Sequence, residues 1–191
     1  MLEKIPPGVG HALRGLRAGY PKIVSEMDAF VQAPQAIMLQ SPAFGDGGPL
    51  PTRFTNDGKG VSPSLVWCGA PQRSASLVLI VEDPDAPGPE PFVHLLVWGL
   101  PPSLSAIDEG TFRSPGHDGR YDNLGRNTVL QTAYLPPDPP PGHGPHRYVF
   151  QLFALDRPFQ FGKSPARSAV VEAMTGHVLA KGVLIGVYER L

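Results

Sequence analysis

Proline and glycine divide this sequence into short apolar runs, and that division constrains the fold more than any other feature. The 191 residues include 24 Pro and 22 Gly, concentrated in clusters such as GDGGPLP, NDGKG and PPDPPPGHGP. Proline cannot donate to a helix or a sheet ladder, and glycine favours turns. Because apolar runs separate the clusters, we expect a folded domain with long, rigid loops rather than disorder.

The apolar runs between these clusters have the length and composition of β strands. Short strands separated by Gly/Pro turns predict an antiparallel sandwich or Greek-key arrangement. The middle runs are apolar at nearly every position, which is typical of central strands buried on both faces. The runs occupy residues 37–40, 65–67, 76–82, 92–98, 147–155 and 183–188.

One helix is expected late in the chain. Ser164 can cap its N-terminus and Pro165 suits its first position. Val171, Met174 and Val178 then recur at helical spacing through residues 166–180,. This stripe is typical of core packing rather than of a binding site.

Residues 1–31 are predicted to form a partly helical N-terminal arm, and residues 32–191 the β domain. Apolar and basic residues interleave in the arm, so it can form a short amphipathic helix that packs on the domain or on a partner subunit. A membrane-surface helix is less favoured because the apolar face is small. The residues concerned are Leu13, Leu16, Ile23, Arg14, Arg17 and Lys22.

Composition excludes several classes of protein. The formal net charge is -1 and the sequence pI is near 6.6, which does not favour nucleic-acid binding. No stretch approaches the roughly 18 apolar residues of a membrane span, and the N-terminus lacks the apolar core of a secretory signal. Cys68 is the only cysteine, so no intrachain disulfide is expected, and it is interpreted as a small buried residue. We therefore expect a cytoplasmic protein.

Two segments carry more polar detail than folding alone requires. In Asp83-Pro84-Asp85-Ala86-Pro87 the prolines stiffen a corner that follows a buried strand, although an ordinary Asx turn would explain it equally well. In residues 139–148, Gly142 and Gly144 allow a tight turn whose N–H groups could face an anion.

Three further side chains belong to the same hypothesis. His146 and Tyr148 lie two residues apart and so share one side of a strand. His94 lies inside the apolar run FVHLLVW, where it needs a partner such as Asp83. The spacing of His143 and His146 is only a weak sign of a metal site.

Together these segments resemble the phosphatidylethanolamine-binding-protein family, in its bacterial Raf-kinase-inhibitor-like branch. The resemblance covers about residues 37–191 and implies a mainly β fold, an antiparallel Greek-key β sandwich with a few peripheral short helices. It rests on DPDAP, a His inside an apolar strand, GHGPHRY, SPAFGDGGPLPTRFTNDG, SPSLVW followed by GAP, Gly125 with Asn127, RYVFQLFALD and GHVLAKGVLIGVYER.

The resemblance also implies a ligand pocket. Carried over residue by residue, it consists of Asp83, Asp85, His94, Pro140, His146 and Tyr148. Pro136, Leu95 and Gly99 depart from the pattern common in that branch, which puts the shape of the pocket mouth in doubt.

The function implied is binding of a small anion or phosphate-bearing head group, with a kinase or protease as the kind of protein partner to consider. A homodimer is expected, and neither a cofactor, a metal nor catalytic turnover is. The alternatives are a small hydrolase or lyase using Asp83, His94 and His146, and an interaction protein with a vestigial pocket. Against the hydrolase, no GxSxG motif or other obvious nucleophile is present.

Two finer expectations concern the same segments. A cis peptide is predicted before Pro87 or Pro140, because cis bonds occur in rigid proline corners. The aspartates are expected to raise the pKa of His94 and His146, so that phosphate binds more tightly as the pH falls from about 8 to about 6.

Overall fold

Eight strands account for most of the regular structure in the computed structural model, which describes residues 6–162 and 164–190. Two helices, α1 (Pro7–Leu13) and α2 (Arg167–Met174), and 3-10 turns at Tyr20–Lys22, Val24–Glu26 and Thr52–Phe54 complete it. The strands are β1 (Met38–Gln40), β2 (Gly48–Pro49), β3 (Leu65–Cys68), β4 (Ser76–Asp83), β5 (Phe92–Leu100), β6 (Ala106–Ile107), β7 (His146–Leu155) and β8 (Val178–Tyr188).

The strands form two sheets, of order β1-β3-β6 and β2-β8-β7-β4-β5. All pairs are antiparallel except β2 with β8, so the mainly β, antiparallel prediction is confirmed. Glu82 near the end of β4 pairs with Val149 of β7, and Asp83 pairs with Phe92 of β5. This register brings the end of β4, the start of β5 and the start of β7 together at one end of the large sheet's strands.

The large sheet is buried on both faces, which explains why every residue of β4 is buried. On the inner face, alternate residues such as Leu79 and Leu152 pack against Trp67 of the small sheet. On the outer face, Ile80 and Phe153 belong to a second apolar cluster. That cluster also contains Val24, Phe30, Val170 and Met174.

Residues 20–31 of the predicted arm are fastened to the outer face by buried polar side chains; residues 1–5 lie outside the described structure. The Nζ of Lys181 donates to the carbonyls of Ser25, Phe30 and Val31 at 2.7, 3.1 and 3.2 Å. Glu82, fully buried, accepts from the backbone N–H of Val24 at 2.8 Å and also pairs with Gln151 and Arg167. These bonds satisfy groups that would be costly to bury alone.

The late helix is shorter than predicted. It begins at Arg167 after Ala166, without a side-chain cap, so the capping role assigned to Ser164 is wrong. Gly176 adopts a φ of +80°, a conformation that favours glycine and ends the helix. Val178 therefore starts β8, five residues before the predicted strand.

Three further expectations need correction. β5 is an edge strand in the sheet order, and residues 123–135 cover its edge through bonds such as that from Leu135 N to the His94 carbonyl. Cys68 is exposed, because Leu65 and Trp67 take the inward positions of β3,. The described residues contain no cis peptide, since an Asx turn and positive-φ glycines shape the corners instead.

No helix in the described ranges is long and apolar enough to span a bilayer.

Lys181→Met should lower the free energy of unfolding by about 2–4 kcal/mol, because it leaves three carbonyls without their donor. Urea denaturation followed by circular dichroism measures this change. Lys59→Met, at an exposed position, is the control and should change stability by less than about 0.5 kcal/mol. Equal effects of the two substitutions would show that the Lys181 bonds do not hold residues 25–31 in place.

Candidate functional site

Four of the predicted site residues come together where β4 ends and β7 begins. Asp83, His94, His146 and Tyr148 are exposed by only 3%, 4%, 1% and 1%. They lie at the end of the inner face of the large sheet. Their role in ligand binding stays a prediction.

Asp83 is held on both carboxylate oxygens. Its Oδ1 accepts the backbone N–H groups of Asp85 and Ala86 at 2.8 and 3.0 Å, an Asx turn that follows from the proline-stiffened corner. Its Oδ2 accepts from Nδ1 of His146 at 2.7 Å. The prediction that Asp83 pairs with His94 is therefore wrong, because His146 at the adjacent start of β7 places its imidazole against the Asp83 carboxylate.

His146 is bonded at its second nitrogen as well. Its Nε2 lies 2.7 Å from Nδ1 of His143, whose Nε2 lies 2.9 Å from the carbonyl of Leu13, the last residue of α1. His143 is fully buried. A chain of three hydrogen bonds thus runs from Asp83 to the N-terminal arm.

His94 occupies an irregularity in the β4–β5 pairing, between the partners of Val81 and Glu82. Its Nδ1 lies 2.7 Å from the carbonyl of Leu135, and its ring meets that of Tyr148 edge-on at 5.0 Å. Burial lowers the pKa of His94 although Asp83 opposes this, so the predicted rise in its pKa is wrong. Nδ1 must donate to the carbonyl, which leaves Nε2 of the neutral ring as an acceptor.

Asp85 faces away from this group. Arg147 contacts it through Nε, Nη2 and its backbone N–H at 2.7, 2.7 and 2.9 Å, and Nη1 of Arg17 in the arm lies 2.9 Å away. Burial alone would raise the pKa of Asp85, but these donors lower it to about 2. Asp85 therefore orders the loop rather than offering a free charge to the site.

Pro140 and Tyr148 contribute to the site in different ways. The carbonyl of Pro140 accepts the N–H of His143 at 3.1 Å, which shapes the 139–145 loop. Burial, and then the charge of Asp83, raise the pKa of Tyr148 well above its usual value. Its hydroxyl is therefore a neutral donor at any physiological pH.

The three departures from the family pattern do not act alike. Leu95 is buried in the core cluster between the sheets. Gly99 has a φ of +67°, which favours glycine at this position. Pro136 is buried and lies close to Gly60.

A metal is not supported by the predicted His143 and His146 pair. The two rings bond to each other, and within the described ranges no three or more His, Cys, Asp or Glu side chains are grouped as metal ligands. Sequence reasoning missed the structural roles of His143, Arg147 and Arg17. GHGPHRY contained the first two, but no sequence signal linked Arg17 to Asp85.

Comparison with known proteins places this geometry in context. A family model described as phosphatidylethanolamine-binding protein matches residues 40–189. A UPF0098 protein of Methanothermobacter thermautotrophicus is 39% identical over 155 residues, which span 80% of this chain and 98% of that protein. A UPF0098 protein of Chlamydia trachomatis is 35% identical over 158 residues, 81% of this chain and 99% of that protein.

Solved structures agree with these matches. A Chlamydia trachomatis structure described as a phosphatidylethanolamine-binding protein homologue has a TM-score of 0.73 and 35% identity, and covers 82% of this chain and 99% of its own. YbcL of Escherichia coli, described as a member of the mammalian PEBP family, has a TM-score of 0.72 and 27% identity. Its match covers 82% of this chain and 99% of its own. The N-terminal residues before position 40 lie outside the family match.

Asp85→Asn should lower the free energy of unfolding by about 1–2 kcal/mol at neutral pH. Because the folded pKa of Asp85 lies below its ordinary value, its contribution is present above about pH 4 and is lost as the pH falls towards about 2. Urea titrations at neutral pH and near pH 2 measure the difference, with exposed Asp118→Asn as control. A deficit of the same size at both pH values would contradict this account.

Proposed function

The chain belongs to the phosphatidylethanolamine-binding protein family, as its motifs predicted, and on that premise we propose that it binds a small anion or phosphate-bearing head group. The proposed ligand contacts are His94 and Tyr148. His146, whose two ring nitrogens bond to Asp83 and His143, lies beside them, and Asp83, Asp85 and Pro140 are supports. The observation that carries the proposal is the buried Asp83–His146 bond of 2.7 Å beside a second buried histidine.

The charges around the site favour this proposal. Two aspartates would repel a phosphate if their charges were free. Asp83 instead accepts two backbone N–H bonds and one from His146. Asp85 is paired with Arg147 and Arg17. Because both carboxylates are compensated, an anion near Tyr148 meets a hydroxyl donor rather than bare negative charge.

The state of His94 narrows the ligand class. Neutral His94 accepts at Nε2, so it favours a ligand that brings a proton, such as a singly protonated phosphate or an ammonium group. An anion without a proton gains from His94 only when the ring is protonated. We therefore propose a hydrogenphosphate or an amine-bearing phosphate monoester as the preferred chemistry.

A groove at the start of β5 is the proposed place for the organic part of such a ligand. Its volume is about 440 Å³, and Phe92, whose ring is 5.5 Å from that of His94, contributes to its wall. Much of the rest is apolar, including Pro87, Pro89, Val93 and Leu130. A small organic group linked to the bound phosphate would bury its apolar surface away from water in this groove.

A hydrolase or lyase is the weaker alternative. Within the described ranges, no Ser, Thr or Cys side chain is hydrogen-bonded to Asp83, His94 or His146. Acid–base groups without a positioned nucleophile would need a bound water to attack.

A cytoplasmic location, a homodimer and regulation of a kinase or protease remain part of the proposal, resting on sequence and family resemblance.

His146→Gln and Asp83→Asn should each weaken binding of inorganic phosphate at least about tenfold, because each breaks the buried charge-assisted pair on which the proposed site is built. Isothermal titration calorimetry measures the affinity. His177→Gln is the matched control, since His177 makes a 3.0 Å bond to Asp156 elsewhere. Phosphate affinity that falls equally in all three variants, or in none, would count against the proposed site.

Binding of sulfate should strengthen as the pH falls below about 6.5, because burial lowers the pKa of His94 and its protonation then adds a donor. Sulfate is suitable because it does not titrate in this range. His94→Gln cannot gain a proton and should lose that part of the low-pH increase. A wild-type profile that is flat or rises with pH would rule out His94 as the compensating charge.

A further inference from the structure

The hydrogen-bond chain from Asp83 to the N-terminal arm has a consequence for the charge of the site. It consists of three contacts: Asp83 Oδ2 with His146 Nδ1 at 2.7 Å, His146 Nε2 with His143 Nδ1 at 2.7 Å, and His143 Nε2 with the Leu13 carbonyl at 2.9 Å. Each contact is a hydrogen bond only if exactly one proton lies in it, so the chain needs three protons.

Two neutral imidazoles and a carboxylate hold only two protons. The Leu13 carbonyl can only accept, so His143 must donate from Nε2. Neutral His143 then accepts at Nδ1, which makes His146 the donor at Nε2 as well as at Nδ1. One of the three titratable groups, Asp83, His143 or His146, must therefore carry one proton more than it usually carries at neutral pH.

His146 is the group best placed to hold that proton. The two backbone N–H bonds to Asp83 Oδ1 favour the ionised carboxylate,. Burial and then the neighbouring His146 lower the pKa of His143, and Arg17 also opposes a positive charge there. His146, in contact with the Asp83 carboxylate, keeps the imidazolium in a compensated pair.

We propose that the N-terminal arm sets the charge of the anion site, through His143 as a positioning residue that obliges His146 to be an imidazolium while Leu13 is docked. This rests on the proposed function and adds its regulation. When the arm is released, His143 is free to donate from Nδ1 to a neutral His146. Two bonds then need two protons, and the site loses one positive charge.

The surroundings give the arm a defined seat on the 139–145 loop. Arg14 donates to the Gly142 carbonyl at 3.0 Å, and Arg17 donates to that of Pro145 at 3.0 Å. The charged or titratable groups facing the histidine pair are Asp83 from β4, His94 from β5 and Arg17 from the arm. Because the docked state holds one proton more than the released state, docking takes up a proton and is favoured at low pH.

Gly10→Ala is the variant that releases the arm. A Cβ at Gly10 would clash with the carbonyl oxygen of Pro141, so α1 and the 139–145 loop must separate. Gly8→Ala is the matched control in the same helix, since a Cβ there meets nothing within 4 Å. Both substitutions change helix propensity equally.

Nitrogen-15 NMR of the histidine rings in the full chain measures the proton state without any ligand. In the wild-type protein and in Gly8→Ala, we expect His146 to be protonated at both ring nitrogens at neutral pH. In Gly10→Ala, we expect the second ring proton to be lost at a pH about one unit lower than in Gly8→Ala. The same midpoint in Gly10→Ala and Gly8→Ala, or a neutral His146 in the wild-type protein at pH 7, would overturn the proposal.

His143 variants separate positioning from simple packing. His143→Leu removes the acceptor for His146 Nε2 and should lower the His146 titration midpoint by about one pH unit. His143→Asn offers a carbonyl oxygen near the Nδ1 position and should restore most of that midpoint. If both variants shift the midpoint equally, His143 acts only by filling space. Since no ligand is used, this outcome is independent of whether the site binds phosphate.

Discussion

The hydrogen bond between Asp83 and His146 is the interaction on which the rest of the site depends. It joins the end of β4 to the start of β7 at 2.7 Å, between two side chains that are almost wholly buried. A charge buried there without a partner would cost several kcal/mol. The Asx turn at Asp83 and the ring of His143 fill the remaining positions, so each member of the pair makes further hydrogen bonds to its surroundings.

Much of the fold could be predicted because apolar runs and Gly/Pro clusters act locally. The run at 76–82 became β4, and the start of β7 fell one residue before the predicted 147. Errors arose where the deciding contact was distant in sequence. β5, for example, became an edge strand covered by a later loop. The early end of the helix had a local cause instead, the positive φ of Gly176.

The candidate site shows the same division. Proline-stiffened corners and a histidine in an apolar strand were enough to predict that Asp83, His94 and His146 are polar groups needing partners. They did not identify the partners, since His94 bonds to the backbone of Leu135, 41 residues away. The link between His143 and Leu13 spans 130 residues and involves a backbone carbonyl, which no side-chain pattern reveals.

The central claim is that Asp83, His94, His146 and Tyr148 form a site for a phosphate-bearing ligand, and a crystal structure grown with phosphoethanolamine tests it most directly. We expect phosphate density in contact with the Tyr148 hydroxyl and beside His146, and an amine or hydroxyl facing His94 Nε2. Density found only against the exposed guanidinium of Arg147, with the four buried side chains unchanged, would contradict it.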